Sequence, residues 1–229
     1  MASIKFGDFV VAAAGKIAGH IYSRNKGGAY SRTWVKPTNP KTTKQLAVRN
    51  ILSALSQAWR GLTQTQRDQW TGATTNFKIK NRIGDIITQT GNGLYVQLNK
   101  NLSDIGVAAI STPPVPTAVG YLTALSVASA EGAGTIVATF TKVGFTNTAV
   151  KVFATPALSA GVNSPGTNYR QIGYSASDEA SPFNIQTSYD AVFGGVGAAG
   201  QKIFVKLVPV DANTGIAGQP IEAVSVIAA

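Results

Sequence analysis

Ser111-Thr112-Pro113-Pro114-Val115-Pro116-Thr117 divides this 229-residue chain into halves of unlike character. Its three prolines remove backbone donors and hold their predecessors extended, so neither a helix nor a central strand runs through it. Before it stand fifteen Lys and Arg against four Asp and Glu, a formal +11; from Ser111 onward there are five against six, a formal −1. Such asymmetry suits a chain that attaches through one half to something acidic and presents the other half elsewhere. The expected organisation is a basic docking domain over 1–110, a linker over 111–117 and a second domain over 118–229, each able to bury a modest core.

Working back from the linker, the basic half reads as α+β. Ile21-Tyr22-Ser23-Arg24 and Ala29-Tyr30-Ser31-Arg32-Thr33-Trp34-Val35 flank Asn25-Lys26-Gly27-Gly28. This predicts a β-hairpin with Tyr30, Arg32 and Trp34 on one face. Lys36-Pro37-Thr38-Asn39-Pro40-Lys41 follows as an extended arm. A helix then starts at Thr42 or Thr43 and stops near Gly61, with Val48, Ile51, Leu52, Leu55 and Trp59 spaced as one buried face. Thr63-Gln64-Thr65-Gln66 has capping-box form and predicts a short helix through Trp70. Residues 76–90 alternate like strand around Ile79, Ile83, Ile86 and Ile87, broken at Asn81 and Gly84. A third helix is expected from Asn92 to Asp104 with Gly106 as its stop, although Leu94–Leu98 also suits a strand.

Working forward, the apolar period changes to two. Leu122–Val127, Thr135–Phe140, Ala149–Thr155, Tyr169–Tyr174, Phe183–Thr187, Lys202–Val210 and Ile221–Ile227 read as strands between Gly, Asn, Pro and Ser clusters. Their number and spacing predict an all-β sandwich of immunoglobulin or fibronectin type III kind, with Asp211-Ala212-Asn213-Thr214-Gly215 as its clearest turn.

Several chemistries lack their residues. The chain has no Cys, and His20, between Gly19 and Ile21, is its one His. A thiol nucleophile, a disulfide and a His/Cys metal centre are excluded by count, and no Ser or carboxylate motif accompanies His20 to make a catalytic triad. Gly195-Val196-Gly197-Ala198-Ala199-Gly200 spells a dinucleotide fingerprint, but the residues after it read as strand where that site needs a helix N-terminus. Ala14-Gly15-Lys16-Ile17 lacks the first Gly and the final Ser or Thr of a P-loop. Asp178-Glu179 reads as a solvated loop. No catalytic, cofactor or metal site is expected. No apolar run approaches the roughly 20 residues that span a bilayer, and Phe9–Ala14 is short for a secretory signal.

The basic set Lys16, Arg24, Lys26, Arg32, Lys36, Lys41, Lys44 and Arg49 is the one cluster with a functional reading. With Tyr30 and Trp34 among the charges and the arm running through them, Arg24, Lys26, Tyr30, Arg32, Trp34, Lys36, Lys41, Lys44 and Arg49 form the candidate docking surface for an acidic partner.

The same residues resemble a known group. Ile21–Asn25, Gly28–Arg32, Pro37–Thr42, Gln45, Arg49, Trp59–Thr63, Gln66-Arg67 and Trp70, then Gly91, Gly93–Val96 and Leu98–Leu102, are similar in type and spacing to tailed-bacteriophage virion-associated structural proteins across roughly residues 15–106. The resemblance implies a non-enzymatic component of the virion that binds other virion proteins, in many copies or as a homo-oligomer, and displays a variable sandwich. A basic face suits many copies on an acidic capsid lattice, so a head decoration or auxiliary capsid role is preferred to a tail or head-tail connector role. Two other functions compete: nucleic-acid binding through basic and aromatic groups of the hairpin, and sugar binding on Tyr121, Tyr169, Tyr174 or Tyr189.

Overall fold

Four short antiparallel strands open the chain: β1 (Ala2–Ile4), β2 (Gly15–Ile17), β3 (His20–Asn25) and β4 (Gly28–Thr33), ordered β1-β4-β3-β2 in one sheet. The β3–β4 pair is the expected hairpin, with Gly28 at φ +103 where the chain turns. Strands β1 and β2 were not legible beforehand, because three residues are too few to show a period of two. His20 opens β3 at the surface. The computed structural model describes residues 2–8, 10–25, 27–81, 83–131 and 135–229.

The arm from Lys36 to Lys41 is irregular and exposed, and it leads into α1 (Thr43–Gly61). The Thr42 hydroxyl accepts from the Gln45 amide at 3.3 Å, satisfying one of the orphan donors of the first turn. The expected buried face of α1 is corrected by the structure. Only Leu55 is buried; Trp59 and Ile51 are partly covered, and Val48 and Leu52 are 55% and 50% exposed. Helix α2 (Gln64–Ala73) begins with the capping box read from the sequence: the Gln66 amide donates to the Thr63 hydroxyl, and the Gln66 side chain accepts from the Thr63 amide.

A 3-10 turn over Thr74–Asn76 leads to the small hairpin of β5 (Ile79–Lys80) and β6 (Ile86–Ile87). Its turn is shaped by Asn81, whose Oδ1 accepts from the Ile83 and Asp85 amides, and by Gly84 at φ +93. Helix α3 (Gly91–Asp104) settles the ambiguity over Leu94–Leu98 in favour of helix. The Thr90 hydroxyl accepts from the Gly93 amide at its start. Gly106, at φ +73, ends it: the Val107 amide reaches back to the Leu102 carbonyl and the Gly106 amide to that of Ser103.

The chain forms two compact units, Met1–Val96 with Ser111–Pro113 and Gln97–Ile110 with Pro114–Ala229. In the first, the core is aromatic. Trp70 is fully buried and meets Tyr95 edge-on at 5.3 Å, Trp59 lies 5.4 Å from the same ring, and the Trp70 indole donates to the Ser111 carbonyl at 2.9 Å. Burying a group of this size contributes several kcal/mol, roughly 25 cal/mol per Å² of apolar surface.

The second unit holds two antiparallel sheets over a common core. Strands β7 (Tyr121–Ser129), β8 (Ile136–Val143), β9 (Thr148–Ala154), β10 (Arg170–Tyr174), β11 (Phe183–Asn184), β12 (Lys202–Asp211) and β13 (Ile221–Val226) form the sheets β11-β8-β7 and β10-β9-β12-β13. Alternate residues of each sheet, Leu122, Ile136, Ala138 and Phe140 from one and Val150, Val152, Ala154, Ile203, Val205 and Leu207 from the other, meet in one cluster. The second half of α3 packs outside the four-stranded sheet, where Leu102 and Ile105 cover Ala149 and Val210.

The chain is thus a mixed α+β structure with four α-helices and open antiparallel sheets among the described residues. The expected split into an α+β half and an all-β half needs correction. Where a strand was expected over Phe183–Thr187, β11 stops after two residues and α4 (Gln186–Phe193) follows. Asn184 turns the chain by accepting from the Gln186 amide. Ile185 and Tyr189, four apart, are buried; Tyr189 meets Phe193 at 4.8 Å with the rings tilted by 43°. Asp178 is likewise no free loop acid: its carboxylate accepts from the Asn147 and Thr148 amides at 2.9 and 3.0 Å.

Candidate docking surface

Register decides which candidate groups share a face. Directly paired residues point to the same side of a sheet. Ser3 faces Tyr30, Tyr30 faces Ser23, Arg32 faces Ile21, and Ile21 faces Lys16. Lys16, Tyr30 and Arg32 therefore lie on one side. Trp34 joins them just beyond β4, where its amide donates to the Gly19 carbonyl and extends the pairing. Its indole is 52% exposed and carries the Lys16 ammonium 4.0 Å above the ring, a cation–π pair between β2 and the residue just past β4 that spans the intervening β3. The expectation that Tyr30, Arg32 and Trp34 share a face matches this arrangement.

Arg24 pairs with Ala29 and so points to the opposite side. There it lines a surface cleft with Lys5, Phe6, Val10, Val11 and Ala29. Lys26 lies outside the described residues.

The remaining groups belong to the arm and α1. Lys36 is exposed in the arm, and Lys41, at φ +50, turns the chain into the helix. Lys44 and Arg49 stand on the first turns of α1, and the Arg49 guanidinium donates to the Asn39 side chain at 2.8 Å, tying arm to helix. The eight described residues of the surface are accordingly divided: Tyr30, Arg32 and Trp34 on one sheet face, Arg24 on the other, and Lys36, Lys41, Lys44 and Arg49 along arm and helix.

Charge on this surface is largely uncompensated. Lys5 is paired with Asp85 at 2.8 Å, and hydrogen bonds from Lys5 and Asn81 hold the Asp85 carboxyl below its ordinary range. Among the described residues Arg24, Arg32, Lys36, Lys41, Lys44 and Arg49 form no salt bridge. Residues 1–50 hold nine Lys and Arg against Asp8 alone. None of the described residues from Ser3 to Asn50 is buried, although the stretch contains a regular four-stranded sheet.

Sequence reasoning missed Asn39 as the anchor of the arm, and it missed the exposure of Val48 and Leu52. An Asn ten residues before an Arg carries no local signal, and helical periodicity cannot distinguish a covered face from an uncovered one.

Elsewhere, Gly195–Gly200 is irregular backbone that runs into β12 rather than a helix. Of the four tyrosines considered for sugar contact, Tyr189 is buried with its hydroxyl donating to the Thr155 carbonyl, and Tyr169 donates to Glu222. Tyr121 and Tyr174 remain about half exposed, at 50% and 49%. Among the described residues no group of three His, Cys, Asp or Glu is placed to hold a metal ion, and no helix is long and apolar enough to cross a membrane. No protein-family model, curated protein or solved structure matches the chain.

Proposed function

We infer that this chain is a non-enzymatic structural protein of a tailed-bacteriophage virion, a head decoration or auxiliary capsid protein. Its basic first half docks on an acidic surface of other virion proteins, and its last 110 residues or so are displayed as a fibronectin type III-like module. The observation that carries this reading is the state of residues 3–50. A hydrogen-bonded sheet, an arm and the start of a helix hold strong positive charge without one buried side chain among the described residues. A sheet whose strands β3 and β4 are at most half-buried is marginal by itself. Contact with an acidic lattice supplies both the missing cover and the missing counter-charge.

The strand order supports the display module. Of the seven strands after the linker, the first, second and fifth share one sheet, and the third, fourth, sixth and seventh share the other. An immunoglobulin constant domain instead places its fourth strand beside the fifth. The resemblance of residues 15–106 to phage virion proteins supports the location.

Replacing Arg32 and Lys36 by Glu, with Arg24→Glu made separately, tests the docking. Loss of a close charge pair costs about 1.5 kcal/mol or more, so the double variant is expected to be missing from purified particles while the sandwich stays folded. Normal incorporation of both variants, or particles without ordered copies by cryo-electron microscopy, overturns the reading.

Lys16, Tyr30, Arg32 and exposed Trp34 on one face favour a second reading, single-stranded nucleic acid held by phosphate contacts and base stacking. Its signature is oligonucleotide binding that falls steeply with rising salt. Absence of binding at low ionic strength removes it.

A further inference from the structure

Helix α1 uses half of a seam. Val48, Leu52, Leu55 and Trp59 recur at alternating steps of four and three, with Ile51 beside them. That spacing averages about 3.5 residues, the period that keeps a stripe turned toward a second helix. The C-terminal half of the stripe is occupied: Leu55 is buried and the Trp59 ring rests against Tyr95. The N-terminal half is open, with Val48 and Leu52 at least half exposed. Lys44 stands one turn before Val48 on the same stripe, and Lys44, Gln45, Val48 and Arg49 enclose a shallow concavity.

Charge and width choose between the conceivable occupants. A bilayer wants a broad apolar face, whereas this one is the narrow stripe of a helix pair. A second copy of α1 sets Lys44 and Arg49 against like charge: Lys36–Gly61 holds five Lys and Arg and no acid. Helices α2, α3 and α4 each carry a single acid, so none supplies the complement.

We propose that the open half of α1 receives an acidic amphipathic helix of another virion protein. Its apolar residues fill the space beside Val48, Ile51 and Leu52, and its carboxylates meet Lys44 and Arg49. This rests on the docking reading above and names the chemistry of the partner.

The test uses the full chain and a synthetic helix of about three heptads with Leu at the a and d positions and Glu at e and g. Two controls are the same composition in scrambled order and the heptad helix with Lys replacing Glu. Fluorescence anisotropy is expected to show the acidic heptad helix binding at least about tenfold more tightly than its scramble, and Leu52→Ser to remove about that factor. Lys44→Glu combined with Arg49→Glu is expected to transfer preference to the Lys helix. All three positions are exposed, so unchanged circular dichroism checks the fold of each variant.

Equal binding of scramble and heptad overturns the pairing. So does attachment of α1 to vesicles of anionic lipid with no helix binding, or self-association that Leu52→Ser abolishes. If Leu52→Ser loses the helix but still enters particles, the pairing is wrong and the virion reading stands. If the unmodified chain is absent from particles, the virion reading fails whatever the peptide does.

Discussion

Gly91 is where α3 meets α2. A Cβ there falls 2.7 Å from the Thr71 hydroxyl and 2.9 Å from the Thr71 backbone nitrogen. The hydroxyl can rotate away, but the backbone cannot. Replacing Gly by Ala within a helix ordinarily gains up to about 1 kcal/mol, while forcing an extra methyl into a filled space costs about 1–3 kcal/mol. Gly91→Ala is therefore expected to lower stability by about 1 kcal/mol, read from the urea midpoint at constant m-value. An unchanged or raised midpoint contradicts that packing.

Lys151 poses a different problem. It is a cation buried on β9, its ammonium 3.5 Å from Asp104 and 2.8 Å from the Asn101 side-chain oxygen, while Lys100 also bonds Asp104. Burial pushes the Lys151 pKa down and Asp104 pulls it back up. Asp104→Asn leaves the cation without its counter-charge and is expected to cost about 3 kcal/mol; Lys151→Met removes the charge itself and is expected to be close to neutral. The sign with pH follows from the lowered pKa. The cost of holding Lys151 charged is fully present below its folded pKa and fades as pH rises from there toward the ordinary lysine value. Removing Asp104 lowers that folded pKa further, so the deficit of Asp104→Asn shrinks as pH climbs through the alkaline range. Denaturant melts at pH 7 and near pH 10 read both effects, and equal deficits contradict the account.

Helix ends follow local rules, and helix faces do not. Thr42, Thr63 and Thr90 each accept from the amide three residues on, and Gly106 closes α3 with paired backbone bonds. Each arrangement lies within six residues of sequence, so Thr42, Thr63 and Gly106 were legible before any packing was known, while the Thr90 cap was missed. Thr63→Ala removes one side of the capping box at an expected cost of about 1 kcal/mol, whereas Thr63→Ser should retain most of it. Equal losses in the two variants, measured by thermal unfolding, would show that the hydroxyl is not the cap. Helix α4 shows the opposite limit. Its eight residues follow a strand-like run, and what makes it a helix is the burial of Ile185 and Tyr189 under β-sheet residues far away in the chain. That burial raises the Tyr189 pKa to about 12.

The two units divide stability unevenly. Residues 97–229 hold both sheets of the sandwich and the larger core, while none of the described residues of 3–50 is buried. Hydrogen exchange should show amides of β1 to β4 exchanging through local opening at low free energy and those of β8, β9 and β12 only with global unfolding. Trypsin should cut first after Lys41 or within the hairpin. Uniform protection would mean that the basic segment is covered in the free chain. Binding of the acidic partner is expected to slow exchange over residues 20–55, because it supplies cover that the chain lacks.

The sequence by itself determined the alternation that makes six of the seven strands after the linker, the start of α1 and α2 at their threonine caps, Gly106 as the stop of α3 and the charge division. These depend on side-chain period, backbone donors and local hydroxyls, all within one turn or one strand. Only the tertiary structure decided which apolar stripe is covered, that α4 replaces the end of a strand, that β1 and β2 flank the hairpin, and that Arg24 turns away from Arg32. The physical reason is the same in each case. Burial and register depend on what lies opposite a residue, and among the described residues Val48 and Leu52 of α1 stay at least half exposed.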